Sequence, residues 1–256
     1  MIHASAIVDP KARIGAGVSI GPYTVVDGDV EIGEGSWIGA HCVLTGHTRI
    51  GAANRIFHFC SIGEANQDKK YKGEPTRLEI GDRNTIREYC SINRGTVQDA
   101  GTTRVGDDNW IMAYCHIAHD CQVGSNTTFA NHATLAGHVH IGDWTVLGGF
   151  TGVHQFVKVG AHVMTGVGSV VLQDIPTYVL VGGNPLSTYG INAEGLKRRG
   201  FSPEALSALK RAYKTLYKSG LGLAEARAEL EKQALEVAEV RPLAEFLANA
   251  SRGIVR

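Results

Sequence analysis

Ile14-Gly15-Ala16-Gly17-Val18-Ser19-Ile20-Gly21-Pro22-Tyr23-Thr24-Val25-Val26-Asp27-Gly28-Asp29-Val30-Glu31-Ile32 carries an aliphatic side chain at every sixth position. The phase extends back to Ile2 and Val8 and forward through Ile38, Leu44, Ile50, Ile56 and Ile62, and it returns at Ile80, Ile86 and Ile92. After Arg94 it slips by one residue and runs from Val105 through Ile111, Ile117, Val123, Phe129, Leu135, Ile141, Leu147, Val153 and Val159 to Val171, with Thr165 the lone polar occupant. An α-helix repeats at 3.6 residues and a half-buried strand at two, so neither explains this interval. Six residues suit one short strand and one corner, and three such units close a triangular coil. Stacked coils pair their strands in parallel and bury the aliphatics in columns. Glycine often follows the aliphatic, as in Ile14-Gly15, Ile20-Gly21 and Val123-Gly124, where a corner needs unusual backbone angles or space.

Two polar stretches interrupt the repeat, Glu64–Pro75 and Gly95–Thr103, and both read as loops projecting from the coil. Insertions of this kind commonly carry binding function on a rigid solenoid. The expected organisation is a β-solenoid over residues 1–189, with loops near 63–79 and 95–104, and a helical unit over 190–256. In that unit Ser202-Pro203 starts a helix, with Ser as N-cap and Pro at the first helical position. Leu206, Leu209, Tyr213, Leu216 and Tyr217 continue it at helical spacing until Gly220. Further helices are expected at Ala224–Val237, from Pro242, and briefly at Asn192–Arg199. Such a unit caps the open end of the sheet edges.

Lys plus Arg balances Asp plus Glu at 25 each. No overall charge therefore draws the chain to nucleic acid or a membrane surface. Residues 190–256 carry 12 basic against 8 acidic side chains, so an anionic partner prefers that end. The five cysteines, Cys42, Cys60, Cys90, Cys115 and Cys121, are odd in number and never spaced Cys-x-x-Cys. They suggest buried thiols in a reducing cytoplasm rather than disulfides or a zinc-thiolate site. No apolar run reaches the roughly 18–20 residues of a membrane span, and no signal-peptide layout is present.

Chemistry concentrates in the later coils, at His116-Ile117-Ala118-His119-Asp120, Asn131-His132, Gly137-His138-Val139-His140 and His154-Gln155-Phe156. These groups recur at about one coil's length, so stacking can gather them on one face. A histidine beside a carboxylate suits general-base work. The amide of Gly137 can approach a developing oxyanion without steric conflict. With no Gly-x-Ser-x-Gly elbow and no His-paired cysteine, direct transfer is preferred to a covalent acyl-enzyme.

The hexapeptides, these histidine motifs, Lys70-Tyr71-Lys72-Gly73-Glu74-Pro75, Asn93-Arg94-Gly95-Thr96 and Glu194-Gly195-Leu196-Lys197-Arg198-Arg199-Gly200 together resemble the UDP-N-acetylglucosamine O-acyltransferases that begin lipid A synthesis. The resemblance covers essentially the whole chain. It implies a mainly β fold, a left-handed parallel β-helix with a C-terminal α-helical domain, assembled as a homotrimer with sites in clefts between subunits. It implies that His119, supported by Asp120, deprotonates the glucosamine 3-hydroxyl, which attacks the thioester of a 3-hydroxyacyl–acyl carrier protein, while the Gly137 amide stabilises the oxyanion. Asp68, Lys70, His116 and His138 then match positions that hold the sugar or acyl chain. His154, Gln155, Asn192, Glu194, Arg198 and Arg199 match positions at the nucleotide. No metal or cofactor is implied; the acyl carrier protein thioester is itself the donor. Asn93 departs from the pattern, in which histidine commonly precedes Arg-Gly-Thr. Val167 matches a position where bulk shortens the acyl tunnel, implying a short or intermediate chain. Two other enzymes of the same solenoid class remain to be weighed, a coenzyme-A-dependent sugar acetyltransferase and a hydratase with three imidazoles on one zinc ion, as does a scaffold without activity.

Overall fold

The computed structural model describes all 256 residues, and residues up to Ile191 form a three-faced prism of short strands. Face 1 has nine strands, from Ile7–Val8 to Val170–Val171; face 2 has eight, from Arg13–Ile14 to Lys158–Val159; face 3 has ten, from Ser19–Ile20 to Ser187–Ile191. The chain visits faces 1, 2 and 3 in turn, winding a left-handed coil whose neighbouring turns pair in parallel. Val8 lies over Val26, Val26 over Leu44 and Leu44 over Ile62, so each aliphatic of the six-residue series stacks on its equivalent one coil away. The columns form a single core of 38 residues. Thr165 fits the same column because its hydroxyl accepts from the Gly148 amide at 2.9 Å and bonds the Thr151 hydroxyl at 2.8 Å.

The corners refine the expectation about glycine. Gly15 and Gly21 have no left-handed backbone angle. What they supply is space, since a Cβ at Gly15 would lie 2.7 Å from the Glu34 amide nitrogen, and one at Gly21 2.7 Å from the Gly39 carbonyl carbon. The left-handed slot falls two residues later and is filled mostly by larger side chains. On the corner from face 3 to face 1, Tyr23, His41, Phe59, Tyr89, Tyr114, His132 and Phe150 all have φ between 56° and 64°. Non-glycine residues resist this conformation. Here their rings stack into one file with centroids 4.6 to 5.1 Å apart, and that contact offsets the strain.

Both insertions leave face 1 and re-enter face 2, so they project from the same corner. Outside the strands they span 65–76 and 94–101, because Arg77–Ile80 and Thr102–Val105 lengthen to four residues and pair with each other.

Beyond the prism, helix α1 is Ala193–Arg198, α2 Pro203–Tyr217, α3 Leu223–Glu236 and α4 Arg241–Asn249, with a 3₁₀ turn at Ala238–Val240 before α4. Asn192 and Ser202 cap α1 and α2 by accepting from the Gly195 and Ala205 amides. The helices share a second core around Leu196, Leu209, Leu216, Leu230 and Leu243. The C-terminal tail returns to the prism, where buried Asp174 accepts from the Ser251 amide at 3.0 Å and pairs with Ile254. An antiparallel hairpin, Val179–Gly182 with Ser187–Ile191, covers the last edge of face 3.

Phe129 is the largest fully buried side chain of the columns. Replacing it with alanine should destabilise the protein by about 3–5 kcal/mol, read as a lower unfolding midpoint in denaturant.

Candidate active site

The corner from face 1 to face 2 bears the histidine cluster, and the coil register explains the arrangement. Asp120, His138 and Phe156 occupy successive left-handed slots, with φ of 58°, 61° and 66°. His119, Gly137 and Gln155 occupy the positions just before them. His119 therefore stacks over a glycine, and a Cβ at 137 would lie 2.6 Å from His119 Nε2.

His119 Nδ1 lies 2.9 Å from Asp120 Oδ2, with the imidazole largely buried and the carboxylate wholly so. The second insertion holds that carboxylate. The Thr96 amide donates to Asp120 Oδ1 at 2.9 Å and the Thr96 hydroxyl to Oδ2 at 2.7 Å, while the Asp120 amide donates to the Thr103 hydroxyl at 2.8 Å. Burial alone would raise the Asp120 carboxyl, but the hydrogen bonds from His119 and Thr96 outweigh it and hold the group below the ordinary aspartate range. A carboxylate fixed in this way orients the imidazole with Nε2 free for proton transfer. His138 crosses His119 edge-on with centroids 5.0 Å apart and stacks on Phe156 at 4.3 Å. Its Nδ1 meets Asp99 Oδ2 at 2.6 Å. His116 bonds the Ser91 hydroxyl at 2.7 Å, and burial followed by the nearby His119 pushes its imidazole below the usual histidine value. The Gly137 N–H donates to no protein atom.

A cavity of about 910 Å³ joins Asp68, Lys70, His116, His119, His138 and Gln155 with Asn93 and Thr96. Asn93 Nδ2 faces the carbonyls of Glu64 and Ala65 at 3.4 and 3.3 Å, and its buried Oδ1 finds no partner in the chain. The two insertions interlock beneath, through Asn66 Nδ2 to the Gly95 carbonyl at 2.9 Å and Arg94 to the Tyr71 hydroxyl at 2.9 Å. A second concavity along face 2 is crossed by the Arg104–Glu79 pair and contains neither His119 nor His138.

The remaining candidate residues lie elsewhere. His154 is exposed beside the cavity, its Nδ1 3.2 Å from the Gln155 carbonyl. Asn192, Glu194, Arg198 and Arg199 sit at α1 on the corner from face 2 to face 3, where Asn192 Nδ2 donates to the His162 carbonyl and Arg199 donates to the Trp144 carbonyl at 2.9 Å. Burial, then Arg199, drive the His162 imidazole down to about 4. Val167 stands 77 % exposed on the third corner. A single chain thus distributes these residues over all three edges of the prism. Thr96, Thr103 and Asp99 are absent from the sequence-derived set; only the Asn93-Arg94-Gly95-Thr96 motif hints at the first.

Residues 174–255 match the family described as Udp N-acetylglucosamine O-acyltransferase, Domain 2, and residues 102–137 match bacterial transferase hexapeptide repeats. The acyl-[acyl-carrier-protein]–UDP-N-acetylglucosamine O-acyltransferase of Thiobacillus denitrificans is 69 % identical over 255 residues, covering 100 % of this chain and 99 % of that one. The chain belongs to this acyltransferase family. Solved structures agree: the UDP-N-acetylglucosamine acyltransferase of Francisella novicida superposes with a TM-score of 0.98 at 40 % identity, covering 100 % of this chain and 94 % of that one. The UDP-N-acetylglucosamine O-acyltransferase of Moraxella catarrhalis gives 0.90 at 45 %, covering 100 % and 99 %.

Two outcomes follow from the geometry. Gly137→Ala should displace the His119 ring and lower turnover about 10²-fold in a steady-state assay, leaving the unfolding temperature near wild type. The Asp120 carboxyl is depressed in the folded state, so its contribution to stability is full above the unfolded value near pH 4 and lost as pH falls through the folded value. Asp120→Asn should therefore flatten the acid limb of a plot of unfolding temperature against pH.

Proposed function

We propose that this UDP-N-acetylglucosamine O-acyltransferase works by direct transfer, with His119 as general base on the 3-hydroxyl of UDP-N-acetylglucosamine and a 3-hydroxyacyl–acyl carrier protein thioester as donor. The reaction is the first step of lipid A synthesis. The His119–Asp120 pair, oriented by Thr96 over a glycine, is the observation that carries this reading. Nε2 takes the hydroxyl proton as the oxygen attacks the thioester carbonyl. The carbonyl oxygen becomes an oxyanion facing the Gly137 N–H, and its collapse expels the carrier thiolate, which takes the proton back from His119.

Direct transfer is supported by the thiol that follows Asp120 in the chain: burial pushes Cys121 up to about 12, which disfavours the thiolate that an acyl-cysteine route needs. The mechanism uses no metal or cofactor. A zinc hydratase calls for three imidazoles on one ion, whereas the chain groups two, His119 and His138, with Asp120, whose oxygens are occupied by Thr96 and His119.

In this reading the protein is a homotrimer. Asp68, Lys70, His116 and His138 of one protomer hold the sugar and acyl chain, and Asn192, Glu194, Arg198 and Arg199 of a neighbour, with His154 and Gln155, contact the nucleotide. The support is their separation onto different prism corners in a single chain. Val167, exposed beside Gly166 and Gly168, shortens the acyl tunnel at that interface. Lys210, Arg211 and Lys214 on α2 and Lys218 at its C-cap are exposed without carboxylate partners, which suits an acidic carrier protein. Five free, buried cysteines support the reducing cytoplasm as the compartment.

Incubation with UDP-N-acetylglucosamine and a ladder of acyl carrier thioesters should give a mono-acylated sugar nucleotide by mass, with short or intermediate 3-hydroxyacyl chains dominant. Acetyl-CoA serving better would favour the acetyltransferase alternative. His119→Ala should lower turnover by roughly 10²–10⁴. The Michaelis constant for the carrier should rise with ionic strength; salt-indifference removes the role of α2.

A further inference from the structure

We propose that Asp99 is a positioning residue for the acyl transfer, acting through His138. It makes a second imidazole–carboxylate pair beside His119–Asp120. The inference rests on the acyltransferase reading and deepens it.

Residues 97–100 form the exposed tip of the second insertion. Asp99 alone turns back from that tip to the prism, reaching His138 Nδ1 at 2.6 Å across 39 positions of sequence. Asp120 cannot serve both imidazoles. Its Oδ2 is 3.9 Å from His138 Nδ1, and its two oxygens already take the Thr96 amide, the Thr96 hydroxyl and His119. Each histidine therefore has its own carboxylate, both on Nδ1.

The His138 ring is otherwise held by ring contacts, stacked on Phe156 and crossed by His119. Those contacts fix its plane but not which nitrogen carries the proton. The carboxylate of Asp99 accepts from Nδ1–H and so leaves Nε2 unprotonated in the neutral ring. Nε2 has no partner in the chain, and His138 borders the cavity together with Asp99. His138 thus offers the bound substrate a hydrogen-bond acceptor, suited to a hydroxyl or amide N–H. The second insertion consequently braces both rings, Thr96 through Asp120 and Asp99 directly. The prism supplies the rings and the loop sets their protons.

The test is carried out on the intact protein, ¹⁵N-labelled at histidine, with the His138 resonances assigned by His138→Gln. Wild type should show the Nδ1–H tautomer at His138, and Asp99→Ala should shift it toward a mixture. In steady state Asp99→Ala should lower kcat/KM about tenfold, the effect of losing a hydrogen bond to a charged group, with unchanged unfolding temperature. Asp99→Glu should restore part of both signals. A wild-type Nε2–H tautomer, or a tautomer indifferent to Asp99→Ala, overturns the proposal. So does a shifted tautomer with unaltered kcat/KM. Should wild type form no acylated sugar nucleotide at all, the functional reading fails separately, and the tautomer measurement still decides whether Asp99 sets His138.

Discussion

The register of one coil on the next is the constraint on which everything else depends. Parallel pairing places each residue over its equivalent, 18 positions away where no insertion intervenes, as Val26 lies over Leu44 and Leu135 over Val153. Side chains consequently occur in columns. The inward column is apolar because a prism this narrow has no room for unpaired polar atoms, and Thr165 enters it only with both hydroxyl bonds satisfied. The same register builds the file of aromatic rings on one corner and the His119-over-Gly137 arrangement on another. Core and histidine corner are two results of one packing rule.

The insertions break the rule locally. They lengthen the interval from Ile62 to Ile92 to 30 residues and from Ile92 to Ile117 to 25, yet the face 1 pairing survives both. The prism tolerates them because each emerges at a corner, where the chain must turn in any case. Projecting from one corner, they enclose a cavity that flat coils could not make. The second also reaches beneath the histidines to bury a carboxylate under His119. A rigid scaffold and a shaped loop divide the work: strands set where the rings lie, and the loop sets their orientation.

The fold was legible because hydrophobic burial writes a six-residue period directly into the chain. Histidine spacing close to a coil likewise made His119 and His138 legible as neighbours. Asp99 and Thr96 were not, since an irregular loop has no period from which to read a contact, and Thr103 lies on a strand that the insertion lengthens. The sequence pattern makes glycine after the aliphatic necessary without separating angle from space; Gly15 and Gly21 have ordinary backbone angles and crowded neighbours, so space is the reason. The helix start at Ser202 was legible from capping chemistry and the Asn192 cap was not, whereas α4 begins at Arg241, one residue before the proline expected to open it. The distribution of Asn192, Arg199 and Val167 over other corners was invisible, because resemblance assigns residues to a site without saying which copy of the chain supplies them.

The proposed sharing of a site between protomers is tested most directly by complementation. His119→Ala removes the proposed base, and the double variant Arg198→Ala, Arg199→Ala removes the proposed nucleotide contacts at α1. Each alone should have little activity. Co-expressed, or dissociated together and reassembled, they should regain a substantial fraction of wild-type turnover, because mixed oligomers contain an intact His119 facing an intact α1. A mixture no more active than its parents would contradict a site built from two chains.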